Sequence, residues 1–393
     1  MSGFNKKTLR DVDVQGQKVL LRVDFNVKIK NGHISEDTRV RAALPTIRYL
    51  LERQAALIIM SHLGRPKGYE EEYSLKPVAD LLQQLLGQPV LFALDCLGKA
   101  TQKQAAALSE GQVLMLENLR FHEEEEQNDP VFAGQLAKLA DIYVNDAFGM
   151  AHRAHASTEG VAEYLPAYAG LLMESELSSL SKVLDAQERP KVAVIGGAKV
   201  ADKIGMIDNL LKKVDKLLIG GGMANTFLAA KGYDLQGSPV EEDRLPWVQE
   251  LLGSEAAAKL VLPTDVVAAE AFAADAAHQS VAPQAIPTGW LALDIGPDTR
   301  QAFAAELAQA RTIVWNGPVG VFELPPFAAG TMALAQAIAD SNAFSVVGGG
   351  DSIAAVNQAG VAERISFIST GGGAMLKLLE GKKLPVLAVL EDK

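Results

Sequence analysis

The chain has 393 residues, which favours two domains of near-equal size over one ordinary core. Its composition, 48% hydrophobic and 22% charged, is that of a globular protein. A net charge of −11 argues against a general nucleic-acid or anionic-membrane surface.

Residues 1–10 are polar and basic and lack the apolar core of a signal peptide, and no apolar stretch approaches bilayer length. Short apolar runs then alternate with longer helical patterns. Buried strands are expected over 19–23, 56–60, 113–116 and 142–144, then over 192–195, 216–219, 259–262, 312–315, 344–347 and 365–368. Helical periodicity runs over 78–86, 132–140, 174–187, 201–214 and 330–339. The alternation predicts α/β architecture, with parallel sheets covered by helices and ligands at the carboxyl ends of the strands. Cys96, the single cysteine, lies in the apolar run 90–97 and reads as buried filler; with no disulfide possible, the expected compartment is the reducing cytoplasm. A Glu- and Ser-rich amphipathic helix over 172–187 precedes Glu188-Arg189-Pro190 and a fresh apolar strand. The expected organisation is therefore a first domain over 1–170, a hinge over 171–189 and a second domain over 190–377, with the tail 378–393 returning to complete the first.

Nine of the 14 arginines and five of the six histidines precede Gly170. Arg22-Val23-Asp24-Phe25-Asn26, Ser61-His62-Leu63-Gly64-Arg65, Glu117-Asn118-Leu119-Arg120 and the run from Asp146 to His155 each follow an expected strand. Convergence of Arg39, Arg65, Arg120 and Arg153 with His62 would bind a phosphorylated acid, because guanidinium pairs bidentately with phosphate and carboxylate. The competing reading is scattered surface arginine. His152-x-x-His155 lacks the companion ligands of a zinc site, and the acidic run Glu123–Glu126 is expected to be a solvated surface.

After residue 190, four glycine clusters follow strands: Gly196-Gly197, Gly220-Gly221-Gly222, Gly348-Gly349-Gly350 and Gly371-Gly372-Gly373. Such turns bring backbone N–H groups and helix N-termini to a phosphate. Neither the Walker nor the dinucleotide fingerprint is present. Lys199 and Lys203, four apart, are expected on one face at the start of a helix, where an anion would relieve their repulsion; a solvated helix face is the alternative. Asp351 is a candidate Mg²⁺ ligand, directly or through water, or a plain helix N-cap.

Ten stretches in one order (22–27, 61–68, 117–126, 146–158, 196–204, 220–227, 290–298, 312–323, 348–354 and 369–379) make the chain resemble the phosphoglycerate kinase family almost throughout. The resemblance implies two Rossmann-like domains around a cleft, monomeric in solution. It assigns Asp24, Asn26, Arg39, His62, Arg65, Arg120 and Arg153 to 3-phosphoglycerate or 1,3-bisphosphoglycerate, and Lys199 and Lys203, with Arg39, to the group in transfer. Gly220, Gly221 and Gly317 would border adenine, Glu323 would take the ribose, and Gly349, Gly350, Asp351 and Ser352 would hold phosphates, with Asp351 toward Mg²⁺. Lys28 stands where the family usually has proline, and Met150 where it has a small or hydroxylated residue. The implied chemistry is reversible in-line phosphoryl transfer to ADP from an acyl phosphate, with domain closure about the hinge. Another small-carboxylate kinase and a catalytically silent scaffold of the same fold remain the alternatives at this point.

Overall fold

The apolar runs become parallel strands and the periodic segments become helices in the computed structural model, which describes residues 5–30, 33–185 and 187–393. The chain divides into two units, one made of residues up to Ser178 with Lys383–Lys393, the other of Ser179–Lys382. The expected hinge segment includes the helix Leu171–Leu184, which runs across that division; its Ala186 lies outside the described residues.

The first unit contains β1 (Lys18–Arg22), β2 (Ile29–Lys30), β3 (His33–Ile34), β4 (Ala56–Met60), β5 (Val90–Phe92), β6 (Val113–Met115), β7 (Ile142–Asn145) and β8 (Ala167–Ala169). Six of them form a parallel sheet in the order β5-β6-β4-β1-β7-β8, and β2 and β3 pair as a small antiparallel hairpin. All five residues of β4 are buried, as a strand covered on both faces requires. On one face Val40, Ile47 and Leu50 of the helix Thr38–Glu52 join Leu57 and Ile59 in the core; truncating such a residue to alanine costs roughly 2–5 kcal/mol. The helix Lys76–Leu86 ends at Gly87, whose positive φ of 69° lets its N–H reach Gln83 O. The strands β5 and β8, both only partly buried, add to the expected set. The C-terminal tail forms a short helix, Pro385–Val389, and is tied to this unit where Lys6 Nζ donates to Leu390 O at 2.8 Å and pairs with Asp392 at 2.7 Å.

The second unit contains β9 (Lys191–Ile195), β10 (Lys216–Ile219), β11 (Leu260–Val261), β12 (Val266–Ala269), β13 (His278–Val281), β14 (Leu291–Ile295), β15 (Thr312–Asn316), β16 (Phe344–Gly348) and β17 (Phe367–Ser369). Its main sheet is parallel, β11-β10-β9-β15-β16-β17. A second, antiparallel sheet, β13-β12-β14, departs from the expected all-parallel arrangement. Its alanine-rich β12 and exposed, polar β13 carry little of the continuous apolar signal that marks a buried strand. Among the described residues, no helix is long and apolar enough to cross a membrane.

Both main sheets have a point where successive strands depart in opposite directions, between β1 and β7 in one unit and between β9 and β15 in the other. Crevices for ligands open at the carboxyl ends of such neighbours.

Candidate active site

In the first unit the loops after β1, β4, β6 and β7 leave the same edge of the sheet and carry the expected acid-binding residues. Asp24 Oδ2 accepts from Arg39 Nη1 at 2.7 Å, which fixes the guanidinium at the start of the helix Thr38–Glu52. Asn26 Oδ1 accepts from the backbone N–H of Gly64 at 2.9 Å and so ties the β1 loop to the β4 loop. Arg120, only 7% exposed, donates to Gly64 O at 2.6 Å and pairs with Glu126 at 3.0 Å, while its buried Nε has no hydrogen-bond partner. Arg153 is half-buried, 4.0 Å from the same Glu126 carboxylate. Arg65 lies on the β4 loop and is exposed.

His62 is fully buried, and Arg22 Nη2 lies 3.1 Å from its Nδ1. A guanidinium only donates, so Nδ1 must accept and the ring proton sits on Nε2. Burial, then the charges of Arg22, Arg120, Arg39 and His155, hold His62 well below the usual imidazole range, so it is a neutral donor in this cluster. Arg39, His62 and Arg120 thus share one electrostatic neighbourhood. Arg153 acts on Arg120 and on His155 and belongs to it as well.

One feature corrects the sequence reading. The run Glu123–Glu126 is not a uniformly solvated surface: Glu125 is completely buried and accepts from Ser157 N at 2.9 Å and Ser157 Oγ at 2.6 Å. Ser157 Oγ in turn accepts from Arg22 Nε at 2.8 Å, so a buried chain runs from Glu125 through Ser157 to Arg22 and His62. His155 packs beside this chain, its Nδ1 3.8 Å from Glu125, its pKa pushed down to about 4 chiefly by burial. No sequence signal separates Glu125 from its exposed neighbours. At the end of β7, Asp146 is buried, its pKa raised to about 6 by burial, and accepts from Leu172 N and Met173 N at 2.9 and 3.1 Å. It thereby caps the helix Leu171–Leu184 from the strand edge that carries the acid cluster.

In the second unit the glycine loops after β9, β10, β15 and β16 pack directly on one another. A Cβ on Gly221, whose φ is 69°, would lie 2.8 Å from Gly197 N and Pro318 O, and one on Gly220 would meet Val319 at 2.5 Å. Gly317, with φ of 94°, faces Gly196 O. These glycines are required by backbone packing between loops. Glu323 is exposed in the turn that follows β15.

The expectation that Lys199 and Lys203 share a helix face is wrong. The helix begins at Ile204, Lys203 is its N-cap residue, and Lys199 lies exposed in the preceding loop. Gly196 and Gly197 delay helix formation, and turns carry the chain through residues 201–203. Lys203 instead donates to Asn316 Oδ1, and Asn316 Nδ2 donates to Gly348 O at 2.7 Å, which binds the β9 loop to the ends of β15 and β16. Burial lowers the Lys203 pKa, and the charges of Asp202 and Asp351 oppose that shift. Asn316, a polar residue closing an apolar strand before Gly317-Pro318, is the site residue that the sequence signal offered and the reading missed.

The helix Gly350–Gln358 starts at this junction. Gly349 precedes it with φ of 97°, no side chain caps it, and Asp351 is exposed in its first turn. Ser352 is buried, its Oγ accepting from Gly317 N at 2.7 Å, so its hydroxyl already serves the loop. Behind the loop, buried Asp294 accepts from Ile295 N at 2.9 Å and from Gly330 N at 2.7 Å; burial raises its pKa to about 7. With Val321 N donating to Leu293 O at 2.8 Å, this clamps the segment that bears Gly317 and Glu323.

One unit thus holds a cluster of arginines and histidines and the other a lysine beside an uncapped helix N-terminus. The phosphoglycerate kinase family profile matches residues 9–382. A phosphoglycerate kinase of Moorella thermoacetica is 59% identical over 391 residues, spanning 99% of this chain and 100% of that one. That of Herpetosiphon aurantiacus is 58% identical over 394 residues, with 99% and 100% covered. Among solved structures, phosphoglycerate kinase from Coxiella burnetii superposes with a TM-score of 0.91 at 43% identity, and that from Pyrococcus horikoshii with 0.85 at 38%, each covering 98% of both chains. A match that takes in both strand-edge clusters over nearly the whole chain leaves one assignment: the chain belongs to the phosphoglycerate kinase family.

Proposed function

We propose that the two strand-edge clusters are the half-sites of one reaction, reversible in-line transfer of a phosphoryl group between 1,3-bisphosphoglycerate and ADP, giving 3-phosphoglycerate and ATP. The observation that carries it is the acid cluster, in which Arg39 and Arg120 act on His62, a histidine that burial and then Arg22 keep neutral, and Arg153 stands beside Arg120. Fixed cations and an N–H donor suit a substrate that bears both carboxylate and phosphate. In this reading Asp24 and Asn26 set the loop geometry and contact the acid, and Arg65 closes on it from the solvent side.

On the second unit, Gly220, Gly221 and Gly317 border the base, Glu323 takes the ribose hydroxyls, and Gly349, Gly350 and Ser352 contribute phosphate contacts. Phosphoryl transfer asks for positioning and charge neutralisation, with little covalent work by the protein. Lys203, steered by Asn316, and the exposed Lys199 meet the charge on the transferring group together with Arg39. No general base is needed, because the attacking carboxylate or phosphate oxygen carries no proton.

Family membership implies a nucleotide that carries a divalent cation, and Mg²⁺ is the ion this reading assigns. Asp351 fits it: an exposed carboxylate oxygen in the first turn of an uncapped helix suits an ion that keeps most of its water. When bound, Mg²⁺ supplies positive charge to the nucleotide phosphates. We further read residues 171–189 as a hinge that brings the half-sites together and excludes water, with Asp146 reporting from the acid edge to the start of that helix. The enzyme is read as a cytoplasmic monomer; the lone buried Cys96 supports a reducing compartment.

The test is ADP formation from Mg-ATP that depends on 3-phosphoglycerate. Turnover with acetate or carbamate in its place would make the chain a different carboxylate kinase, and no turnover with any acid would make it a silent scaffold. For closure, small-angle scattering should give a smaller radius of gyration with both substrates than with neither; an unchanged radius refutes the hinge.

A further inference from the structure

The geometry points to a binding site for a thiophilic divalent cation of the zinc class in the first unit, formed by Cys96, His122 and Asp95. These residues stand on the loop that follows β5 and between the 3-10 turns Leu119–Phe121 and Glu123–Glu125, and neither the acid reading nor the nucleotide reading uses them. One sulfur, one imidazole nitrogen and one carboxylate oxygen lie within 4.8 Å of one another. Imidazole Nε2 of His122 is hydrogen-bonded to Asp95 Oδ1 at 2.8 Å, a contact that an ion between them would replace. A four-coordinate zinc ion with bonds of about 2.0–2.3 Å separates its ligands by roughly 3.3–3.8 Å. Side-chain rotations of about 1 Å therefore bring three donors onto one ion and leave a fourth position for water.

The scaffold around the donors is built. Thr101 Oγ1 shares its one O–H between Asp95 O and Leu97 O, both at 2.9 Å, and Leu97 N donates to Asp95 Oδ1 at 3.3 Å, folding the 95–97 loop onto the helix Gly98–Ala106. The His122 ring packs against Phe132 with centroids 5.5 Å apart, which limits its rotation. Cys96 is fully buried, whereas the Asp95 side chain is about half exposed, so an ion enters past the carboxylate and meets the sulfur last.

The charges that act on the thiol are those of Asp95 and Glu125, both favourable to a cation. On binding, the Cys96 S–H bond breaks and its proton leaves to solvent, the Nε2 proton that His122 donates to Asp95 is also lost while Nδ1 carries the proton of the neutral ring, and the metal–thiolate and metal–imidazole bonds form with no change of oxidation state. A sulfur–nitrogen–oxygen set selects zinc, cobalt or cadmium over the oxygen-preferring Mg²⁺ of a nucleotide site.

Cobalt(II) is the probe, titrated into the full chain after chelator treatment and without nucleotide. The expected result is one equivalent giving a thiolate-to-cobalt charge-transfer band and the intense visible bands of four-coordinate cobalt. Zinc should displace it, and a large excess of Mg²⁺ should not. Cys96→Ser should abolish the charge-transfer band, and His122→Gln should weaken binding by roughly 10–100-fold or more. Asp95→Asn, which keeps an acceptor oxygen for Leu97 N at an exposed position, should also weaken it. A pale six-coordinate spectrum without the charge-transfer band would overturn the site, as would equal affinity in the wild type and in the His122 and Asp95 variants.

Discussion

Asp294 offers a quantitative test of how the loop bearing Gly317 and Glu323 is held. Its carboxylate is buried between Ile295 N and Gly330 N, and burial raises its pKa from 3.8 to about 7. The folded state therefore retains, between about pH 4 and pH 7, a proton that the unfolded chain releases. Stability contributed by this group falls as pH rises through that window and is lowest once the folded-state carboxyl has ionised. Three pKa units at 1.36 kcal/mol each give a cost of about 4 kcal/mol above pH 7 relative to pH 4.

Asn cannot titrate. In Asp294→Asn one side-chain oxygen still accepts an N–H, while the amide nitrogen faces the other donor, a penalty that does not change with pH. The stability of the variant minus that of the wild type should therefore rise by up to about 4 kcal/mol between pH 4 and pH 8. Urea unfolding followed by tryptophan fluorescence reads the relevant unit, because Trp247, Trp290 and Trp315 all lie in Ser179–Lys382 and Trp315 is fully buried. Taking the difference cancels every other titrating group, including Asp146. A difference that stays flat to within about 1 kcal/mol over this range would refute the reasoning.

Three further outcomes follow from the two clusters. Lys203→Ala and Arg39→Ala should each lower kcat by roughly 100-fold or more in a coupled assay, and near wild-type turnover in either would remove it from the transferring group. Ser157→Ala takes the acceptor from Arg22 Nε and a donor from buried Glu125, and should cost about 3–5 kcal/mol in urea unfolding followed by far-UV circular dichroism; a loss below about 1 kcal/mol would mean the chain is already wet or slack. Gly317→Ala forces a side chain onto a φ of 94° against Gly196 O, so it should destabilise the second unit by about 1–2 kcal/mol or more and raise the KM for nucleotide while sparing that for the acid; equal rises in both would contradict the division of labour.

The alternation of apolar runs and amphipathic segments is a long-range pattern that each parallel sheet enforces, which is why most strands of both main sheets, all but β5 and β8, are legible within a residue or two. What failed to register was local and context-borne. The sheet β13-β12-β14 has alanine-rich and polar strands, and its pairing is decided by tertiary neighbours. Lys199 and Lys203 satisfy a helical spacing, but turns after the glycine pair delay the helix to Ile204, so both lysines precede its first turn and Lys203 finds Asn316 across the sheet edge. Glu125 sits in a run of four glutamates that are chemically identical in sequence; only the fold selects which of them meets Ser157. The arginines at strand ends were readable because charge at the close of a buried strand has few structural purposes. Their buried support, running through Ser157 and Glu125, was not, because it consists of ordinary residue types whose meaning is entirely positional.

The glycine clusters divide along the same line. At Gly220, Gly221 and Gly317 a side chain would strike the protein itself, so their identity is accounted for by loops packing on loops, and substitution there tests folding and binding together. Gly350 is different: no heavy atom lies within 4 Å of where its Cβ would stand, its backbone is not left-handed, and it opens the helix Gly350–Gln358. On protein grounds alone alanine is the better residue there, favoured by roughly 0.5–1 kcal/mol. The glycine is then explained by what approaches from outside, a phosphate drawn close to the first-turn N–H groups. Gly350→Ala should accordingly keep or raise the melting temperature while raising the KM for nucleotide several-fold. If it stabilises the enzyme and leaves that KM unchanged, the phosphates do not come to this helix end, and the roles given to Gly349, Asp351 and Ser352 fall with it.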